Sequence, residues 1–236
     1  PSKHYMVVYQ GHGGAWKGGL SIPPAQMAQA IKEGVQSANS HTGGRAHIDL
    51  QVFNTCLMSN MEALYELRDT SDVTVASEDV AQLNINTQWD THLPWLQAHA
   101  QNGFDGREVA QHLVSTYRDW QTEGKQLSSA PPEMSKEDKM ARIVALQEKM
   151  FSYKTLTAID NHKLEAVAEA LSKLVEQCHS ENIPWSKFFD SLQSSRDFMA
   201  YEADQGGKYH YTGHLRDAQD VMQHLAESEW ATPAIQ

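Results

Sequence analysis

The sequence has few of the features that mark a disulfide-rich or membrane-spanning protein. Its two cysteines, Cys56 and Cys178, are too few for a disulfide framework and form no C-x-x-C pair. No apolar run approaches the roughly 18–20 residues of a membrane-spanning helix. No charged and apolar leader opens the chain, but a sequence that begins at Pro1 gives no indication of compartment.

Basic side chains are also scarce. Lys and Arg number 19 against 30 Asp and Glu, which gives a formal net charge of −11. A surface with this charge repels phosphate backbones and anionic lipids, which argues against binding to nucleic acid or to a membrane surface. The rest of the composition is ordinary, with 40% hydrophobic and 21% charged residues in 236 positions. The sequence therefore predicts a globular protein with a substantial core.

The first part of the chain alternates between strand and helix patterns. Short apolar runs at 5–10, 48–54 and 73–77 predict strands. Prolines 23 and 24 open a helical periodicity, and a second helical run, SNMEALYEL, follows the second strand. The polar stretch 37–45 predicts a loop. This alternation favours an α/β domain with a mainly parallel sheet.

The rest of the chain is less regular. A helix capped by Asp105 is expected first, and the stretch 124–139 is polar, contains proline and predicts an exposed linker or loop. A strand at 155–160 and a long helix with an apolar stripe follow, and a last helix carries Leu215, Met222 and Leu225. Cys178 ends the stripe and is interpreted as a core residue. We therefore expect an α/β core at 1–123, and a helical and strand part at 140–236 that packs on the same domain.

Two chemically capable residues follow two of the predicted strands. His12 lies between glycines just after the first strand, and Cys56 follows the second strand. Because parallel strands end at one edge of a sheet, we expect both residues at that edge. A histidine there can take the proton of a thiol and later protonate a leaving amine, and the N–H groups of Gly13 and Cys56 can form an oxyanion hole. The alternatives are a buried structural thiol and a turn histidine.

Three ordered motifs resemble the clostripain family of cysteine peptidases. The segments are VVYQGHGGAWKGG, IDLQVFNTCLMSNMEALYEL and VTVASEDV. They match family patterns in which a strand runs into (N/G)HGGGW, another into DACLM with E.AYEL after it, and a third into VASEE. Later segments, LTAIDNHKLEAVAEAL and YHYTGHLRDAQDVMQHLA, are also similar to the family.

The resemblance implies a caspase-like three-layer α/β/α sandwich. It implies a cysteine endopeptidase in which His12 and Cys56 form a dyad that acts through a thioester acyl-enzyme. Ser77 and Glu78, in the third motif, are expected to bind substrate.

Substrate preference is where the sequence departs from the family. Members cleave after Arg or Lys with the help of acidic pocket residues, whose positions correspond here to Asn54 and Asn84. An amide leaves a buried cation unneutralised, so we expect weak or absent preference for basic residues. Three nearby acids are alternatives that can restore an acidic pocket: Glu78, Asp79 and Asp90.

The resemblance also bears on partners and cofactors. A protein or peptide substrate is implied, with no nucleic acid and no membrane span. No cofactor is expected; some members need calcium, but no D-x-D-x-D-G loop is present. Family members have an apolar strand before the one that ends at the histidine, so the resemblance leaves two alternatives: that position of the sheet is empty, or a second chain or further segment supplies the strand. Secretion or a cell-envelope location is favoured by the resemblance alone.

Two rival functions remain open. A catalytically inactive caspase-like protein, with a binding or regulatory role, is compatible with the amide replacements. A nucleotide-binding loop in GHGGAWKGG is disfavoured, because Lys17 is followed by glycine where a phosphate loop has Ser or Thr.

Overall fold

A four-stranded sheet lies at the centre of the part that carries His12 and Cys56. Its strands are Met6–Gln10 (β1), Leu50–Asn54 (β2), Val73–Ala76 (β3) and Thr157–Asp160 (β4), in the order β1-β2-β3-β4. The first three strands run parallel, and β4 pairs with β3 in the antiparallel sense. The carboxyl ends of β1 and β2 therefore lie side by side, with Gln10 opposite Asn54.

The computed structural model describes residues 4–20, 22–44, 46–79, 89–99, 103–122, 135, 155–195, 197–198, 201–203, 209–211 and 215–233. The chain divides into two compact units, Pro1–His162 and Lys163–Gln236. Among the described helices, none is long and apolar enough to cross a membrane. The predicted linker at 124–139 lies outside the described residues apart from Ser135, so it stays a prediction.

The described residues of the first unit form four α-helices: Pro24–Thr42 (α1), Met61–Leu67 (α2), Trp89–His99 (α3) and Gly106–Thr122 (α4). The side chains of α1 and α2 pack with Phe53 and Ala76 on one face of the sheet. Those of α4 pack with Val52 and Val75 on the other face. Alternate side chains of β2 and β3 thus pack into two hydrophobic cores, one on each face of the sheet. The predicted α/β/α sandwich with a mainly parallel sheet is confirmed.

A buried polar network joins β3 to the end of β4. Gln51 donates to the hydroxyl of Thr74 at 2.7 Å, and that hydroxyl donates to the side-chain oxygen of Asn161 at 2.9 Å. The amide of Asn161 in turn donates to the carbonyl of Ser71 at 2.9 Å. Because each buried polar group here has a partner, the network fixes β4 against β3 at little cost in free energy.

In the second unit, the part of the chain that the structure describes forms three helices and two small antiparallel pairs of strands. The helices are Leu164–Ser180 (α5), Trp185–Ser194 (α6) and Ala218–Glu227 (α7). The strands are Asp197–Phe198 (β5), Tyr201–Ala203 (β6), Tyr209–Tyr211 (β7) and Leu215–Arg216 (β8), with β5 paired to β8 and β6 to β7. Cys178 is buried at the end of α5, as predicted. The predicted last helix is confirmed over 218–227, but Leu215 lies in β8 rather than on it.

One predicted loop is wrong. Composition predicts a loop over 37–45, but α1 continues to Thr42. Gly43 caps the end of the helix with φ +63°. The hydroxyls of Ser40 and Thr42 donate back to backbone carbonyls one turn earlier, at 2.9 and 2.7 Å. These local bonds let polar residues continue the helix until glycine supplies the left-handed cap.

Candidate active site

The segment after β1 folds back on itself and holds His12 at its start. The carbonyl of His12 accepts a hydrogen bond from the N–H of Leu20 at 2.8 Å, and the N–H of Gly14 donates to the carbonyl of Gly18 at 2.8 Å. Gly18 has φ +96°, and a Cβ on it would lie 1.8 Å from the carbonyl oxygen of Ile22. Only glycine fits there, so the glycine-rich sequence is what allows this tight loop.

The segment after β2 is fixed on both sides of the residue that follows Cys56. Leu57 adopts φ +59°, a left-handed conformation that is uncommon for a residue with a side chain. Its N–H donates to the carbonyl of Asp79 at 3.1 Å, and its carbonyl accepts from the side-chain amide of Asn60 at 2.7 Å. Asn60 also caps the start of α2. These bonds hold the strained residue, and with it the peptide that leaves Cys56.

The two segments touch each other at Gly13. A Cβ built on Gly13 would lie 1.9 Å from the carbonyl oxygen of Cys56 and 3.1 Å from its nitrogen. His12 and Cys56 each stand two residues beyond the paired strand ends, Gln10 and Asn54. His12 is exposed and Cys56 is half-buried, so solvent reaches both residues. The structure thus brings the two predicted segments together at one edge of the sheet.

The orientation of Gly13 bears on the predicted oxyanion hole. Gly13 pairs with Gly19 in a bridge whose hydrogen bonds are made by the neighbours on either side. At such a position the N–H of the residue itself points away from its pairing partner. The N–H of Gly13 is therefore directed out of its own loop. That the N–H groups of Gly13 and Cys56 act as oxyanion donors stays a prediction.

The predicted substrate-binding residues have different surroundings. Asn54 is buried at the end of β2. Ser77 is also buried, and its hydroxyl donates to the carbonyl of Asp79 at 2.9 Å. Glu78 is half-buried, whereas Asp79 is 1% exposed. Asn84 lies outside the described residues, so its predicted role, like those of the others, is untested.

One residue near this edge has no signal in the sequence. The hydroxyl of Thr155, just before β4, accepts from the N–H of Glu78 at 2.9 Å and of Asp79 at 3.2 Å. Hydrogen bonds across more than 70 residues leave no local pattern in a sequence. Asn60, by contrast, was recognisable as a helix-capping asparagine in front of an apolar helical run.

A cluster of imidazole and indole rings joins α3 to α4. His92 is 1% exposed and lies 3.3 Å from His112 between ring nitrogens. The ring of Trp95 is stacked on those of His99 and His112, each with a centroid separation of 3.9 Å. The pKa of His92 is lowered to about 4, mainly by burial and in addition by His112, while Asp90 opposes the shift. Among the described residues, no group of three or more His, Cys, Asp or Glu side chains is arranged to hold a metal ion.

Cys178 is chemically unlike a nucleophile. Burial raises the pKa of its thiol above the usual range, and Glu181 raises it further. At neutral pH this thiol is therefore protonated, which leaves Cys56 as the candidate for a reactive thiolate.

Comparison with known proteins gives distant structural neighbours and a clear family. No curated protein matches the sequence. A secreted C11 cysteine protease from Bacteroides thetaiotaomicron, solved with an irreversible peptide inhibitor, is 16% identical with a TM-score of 0.49. That comparison covers 95% of this chain and 55% of the other. A cysteine protease from B. fragilis is 18% identical with a TM-score of 0.41, covering 65% of this chain and 49% of the other.

A third solved structure is an inactive zymogen C11 protease from Parabacteroides distasonis. It is 14% identical with a TM-score of 0.40, and the comparison covers 96% of this chain and 54% of the other. The chain thus spans about half the length of the solved structures that it is similar to. The family model described as "Clostripain family" matches residues 1–233. The chain belongs to the clostripain family.

Proposed function

We propose that this protein is a cysteine endopeptidase in which Cys56 is the nucleophile and His12 is the general base and then the general acid. The contact between Gly13 and the peptide of Cys56 carries the proposal, because it places the segment that begins with His12 directly against the candidate nucleophile. Membership of a cysteine peptidase family supports the same chemistry. The likeness to solved proteases is too distant to add to the argument.

The proposed reaction has two steps. His12 takes the proton of the Cys56 thiol, and the sulfur attacks the carbonyl carbon of the scissile peptide bond. The C–N bond breaks, the amine leaves with the proton from His12, and a thioester remains on Cys56. Water, deprotonated by His12, then attacks the thioester and releases the acid and the free thiol. The N–H groups of Gly13 and Cys56 would stabilise the oxyanion in both steps.

Asn54 governs the proposed substrate preference. It is buried at the end of β2, two residues before the nucleophile, and it carries no charge. A substrate Arg or Lys beside a buried amide would keep an unneutralised cation, which is costly in free energy. We therefore propose that the protein cleaves without a strong preference for basic residues. The proposed chemistry uses no metal ion. Because some family members need calcium, an assay with EDTA is included as a control.

The decisive experiment is a cleavage-site profile of the full chain against a denatured proteome digest. Wild-type protein should cleave peptides, and Cys56→Ala should abolish cleavage. His12→Ala should lower the rate by roughly 10³-fold or more, because residues of a catalytic pair act as a unit. Cys178→Ala is the matched control, since it removes the other thiol, and it should retain activity. Cleavage that survives in Cys56→Ala would overturn the assignment of the nucleophile.

An inactive binding protein is the alternative outcome of this experiment. It would be favoured if iodoacetamide alkylates Cys56 near neutral pH and yet no peptide in the digest is cleaved. The pocket is tested in the same data, because a profile dominated by Arg and Lys before the cleavage site would contradict the proposed role of Asn54.

A further inference from the structure

Two hydroxyls bind the turn that follows β3: that of Ser77, which bonds to Asp79 within the turn, and that of Thr155, which comes from a distant part of the chain. Thr155 Oγ1 accepts hydrogen bonds from the N–H of Glu78 at 2.9 Å and of Asp79 at 3.2 Å. It also lies 3.2 Å from Ser77 Oγ. Because Ser77 donates its own proton to the carbonyl of Asp79, the proton between the two hydroxyls comes from Thr155. One donor and two acceptor positions are thus all in use, the full capacity of a hydroxyl.

The same turn holds the segment that follows Cys56. The carbonyl of Asp79 accepts from the N–H of Leu57 at 3.1 Å, and the carbonyl of Ser77 accepts from the N–H of Ser59 at 2.9 Å. Both carbonyls that receive these bonds therefore belong to the turn that Thr155 closes. A change in the turn would be passed directly to Leu57 and Ser59.

Leu57 is the place where such a change would matter. Its φ of +59° costs on the order of 1–2 kcal/mol for a residue with a Cβ, so it persists only while its partners hold it. The torsion angles of Leu57 set the path of the chain immediately after Cys56. If these angles relaxed, the peptide at Cys56 would move relative to Gly13. The backbone of Gly13 is packed so closely against the Cys56 carbonyl that not even a Cβ would fit between them.

We propose that Thr155 is a positioning residue for the nucleophile, acting through the Ser77–Asp79 turn and Leu57. The inference rests on the proposed function for its kinetic meaning, but the hydrogen bonds themselves do not depend on it. Thr155 does not touch the reacting atoms. Its contribution is to keep Cys56 aligned with His12 and Gly13, and an error of about 1 Å in such an alignment costs about 10²-fold in rate.

Positioning and ordinary stabilisation predict different kinetics. Loss of alignment weakens interactions made in the transition state, so kcat should fall while KM stays nearly constant. A purely structural role would lower the melting temperature and the yield, but it would leave kcat per folded active site unchanged. Reactivity of the Cys56 thiol gives a second readout, since it depends on the same alignment with His12 and requires no substrate.

The test compares Thr155→Val, Thr155→Ser and the control Thr157→Val in the full chain. Valine keeps the shape and removes the hydroxyl, serine restores the hydroxyl, and Thr157 lies two residues further along, in β4. Each protein also carries Cys178→Ala, so that iodoacetamide reports on Cys56 alone. We measure kcat and KM on a cleaved peptide, the alkylation rate of Cys56, and the melting temperature. If Thr155→Val does not fold, Thr155→Ala takes its place.

We expect Thr155→Val to lower kcat about 10- to 100-fold and to slow alkylation of Cys56, with KM within about twofold. Thr155→Ser should lie within about threefold of wild type, and Thr157→Val should be unchanged. Equal losses in the serine and valine variants, or a loss in melting temperature alone, would overturn the proposal. If wild-type protein cleaves nothing, the proposed function fails, while the alkylation rates still decide the role of Thr155: equal rates in wild type and Thr155→Val would refute it.

Discussion

Gly13 lies so close to Cys56 that a Cβ on it would be 1.9 Å from the Cys56 carbonyl oxygen. Non-bonded atoms cannot lie so close together. The clashing oxygen belongs to the backbone, which cannot rotate away as a flexible side chain does. The two segments that carry the candidate dyad are therefore packed backbone to backbone. This contact places the residue after His12 directly against the peptide of Cys56.

Gly13→Ala should consequently disable the site. The added methyl group would push the two segments apart by about 1 Å or more, and we expect kcat/KM to fall at least 10²-fold. Gly34→Ala is the matched control, because a Cβ at Gly34 meets no atom within 4 Å and the residue lies inside α1. That substitution should raise the free energy of unfolding by about 0.5–1 kcal/mol without changing the rate. Full activity in Gly13→Ala would contradict the packing described here.

The sequence predicted the frame of this site because its signals are local. Apolar runs that end two residues before them placed His12 and Cys56 after two strands, and the pairing of Gln10 with Asn54 agrees with that placement. The left-handed Leu57 and the hydroxyl of Thr155 were not predictable. Both depend on hydrogen bonds between segments that come together only in the folded chain, and neither residue type is typical of its role.

Helix α3 was missed for a different reason. It contains Pro94 in its interior, and proline normally indicates the end of a helix. Packing compensates for this residue, since Trp95 and Leu96 lie against the core beside α4. Tertiary contacts of this kind override local propensity, so no single-sequence argument would have placed the helix.

If Asn54 sets the substrate preference as proposed, a carboxylate at this position should create a preference for basic residues. We expect Asn54→Asp to raise kcat/KM for a peptide with Arg before the cleavage site at least 10-fold relative to a matched peptide with Gln. Asn54→Ala is the control, because it removes the amide without adding charge. The measurement is the ratio of kcat/KM for the two peptides in all three proteins. An unchanged ratio in Asn54→Asp would show that Asn54 does not face the substrate side chain.

The ring cluster between α3 and α4 predicts a stability that depends on pH. His92 has an ordinary pKa of about 6.5 when unfolded and about 4 when folded, because burial and His112 disfavour its charged form. Between these values the unfolded state binds more protons, so stability is complete above about pH 6.5 and falls as the pH falls towards 4. The pKa of His112 is lowered by burial and by His99, which acts in the same direction.

Measured melting temperatures should follow this dependence. We expect the free energy of unfolding to drop by about 1–3 kcal/mol between pH 7 and pH 4 from this cluster alone. His92→Leu should flatten the pH profile. A slope that is the same in His92→Leu and in wild type would assign the acid sensitivity to other groups.

Replacing Thr55, immediately before Cys56, with valine should increase the stability of the protein. Within the described residues its hydroxyl is buried and has no hydrogen-bond partner, although the residue is only 1% exposed. A buried polar group without a partner costs about 1–3 kcal/mol, and valine has the same shape without the hydroxyl. We therefore expect Thr55→Val to raise the free energy of unfolding by about 1 kcal/mol, measured by urea denaturation.

Thr70→Val is the comparison for Thr55→Val, because the buried hydroxyl of Thr70 has hydrogen-bond partners. Thr70 is also buried, but its hydroxyl lies 2.6 Å from the carbonyl of Leu67 and 3.1 Å from the side-chain oxygen of Gln51. Removing it leaves buried acceptors unsatisfied, so this substitution should lower the free energy of unfolding by about 1–2 kcal/mol. The same chemical change would then have opposite signs at two sites in one unit. If Thr55→Val were destabilising as well, the hydroxyl of Thr55 would have a partner in solution, and water held beside Cys56 is the candidate that its burial allows.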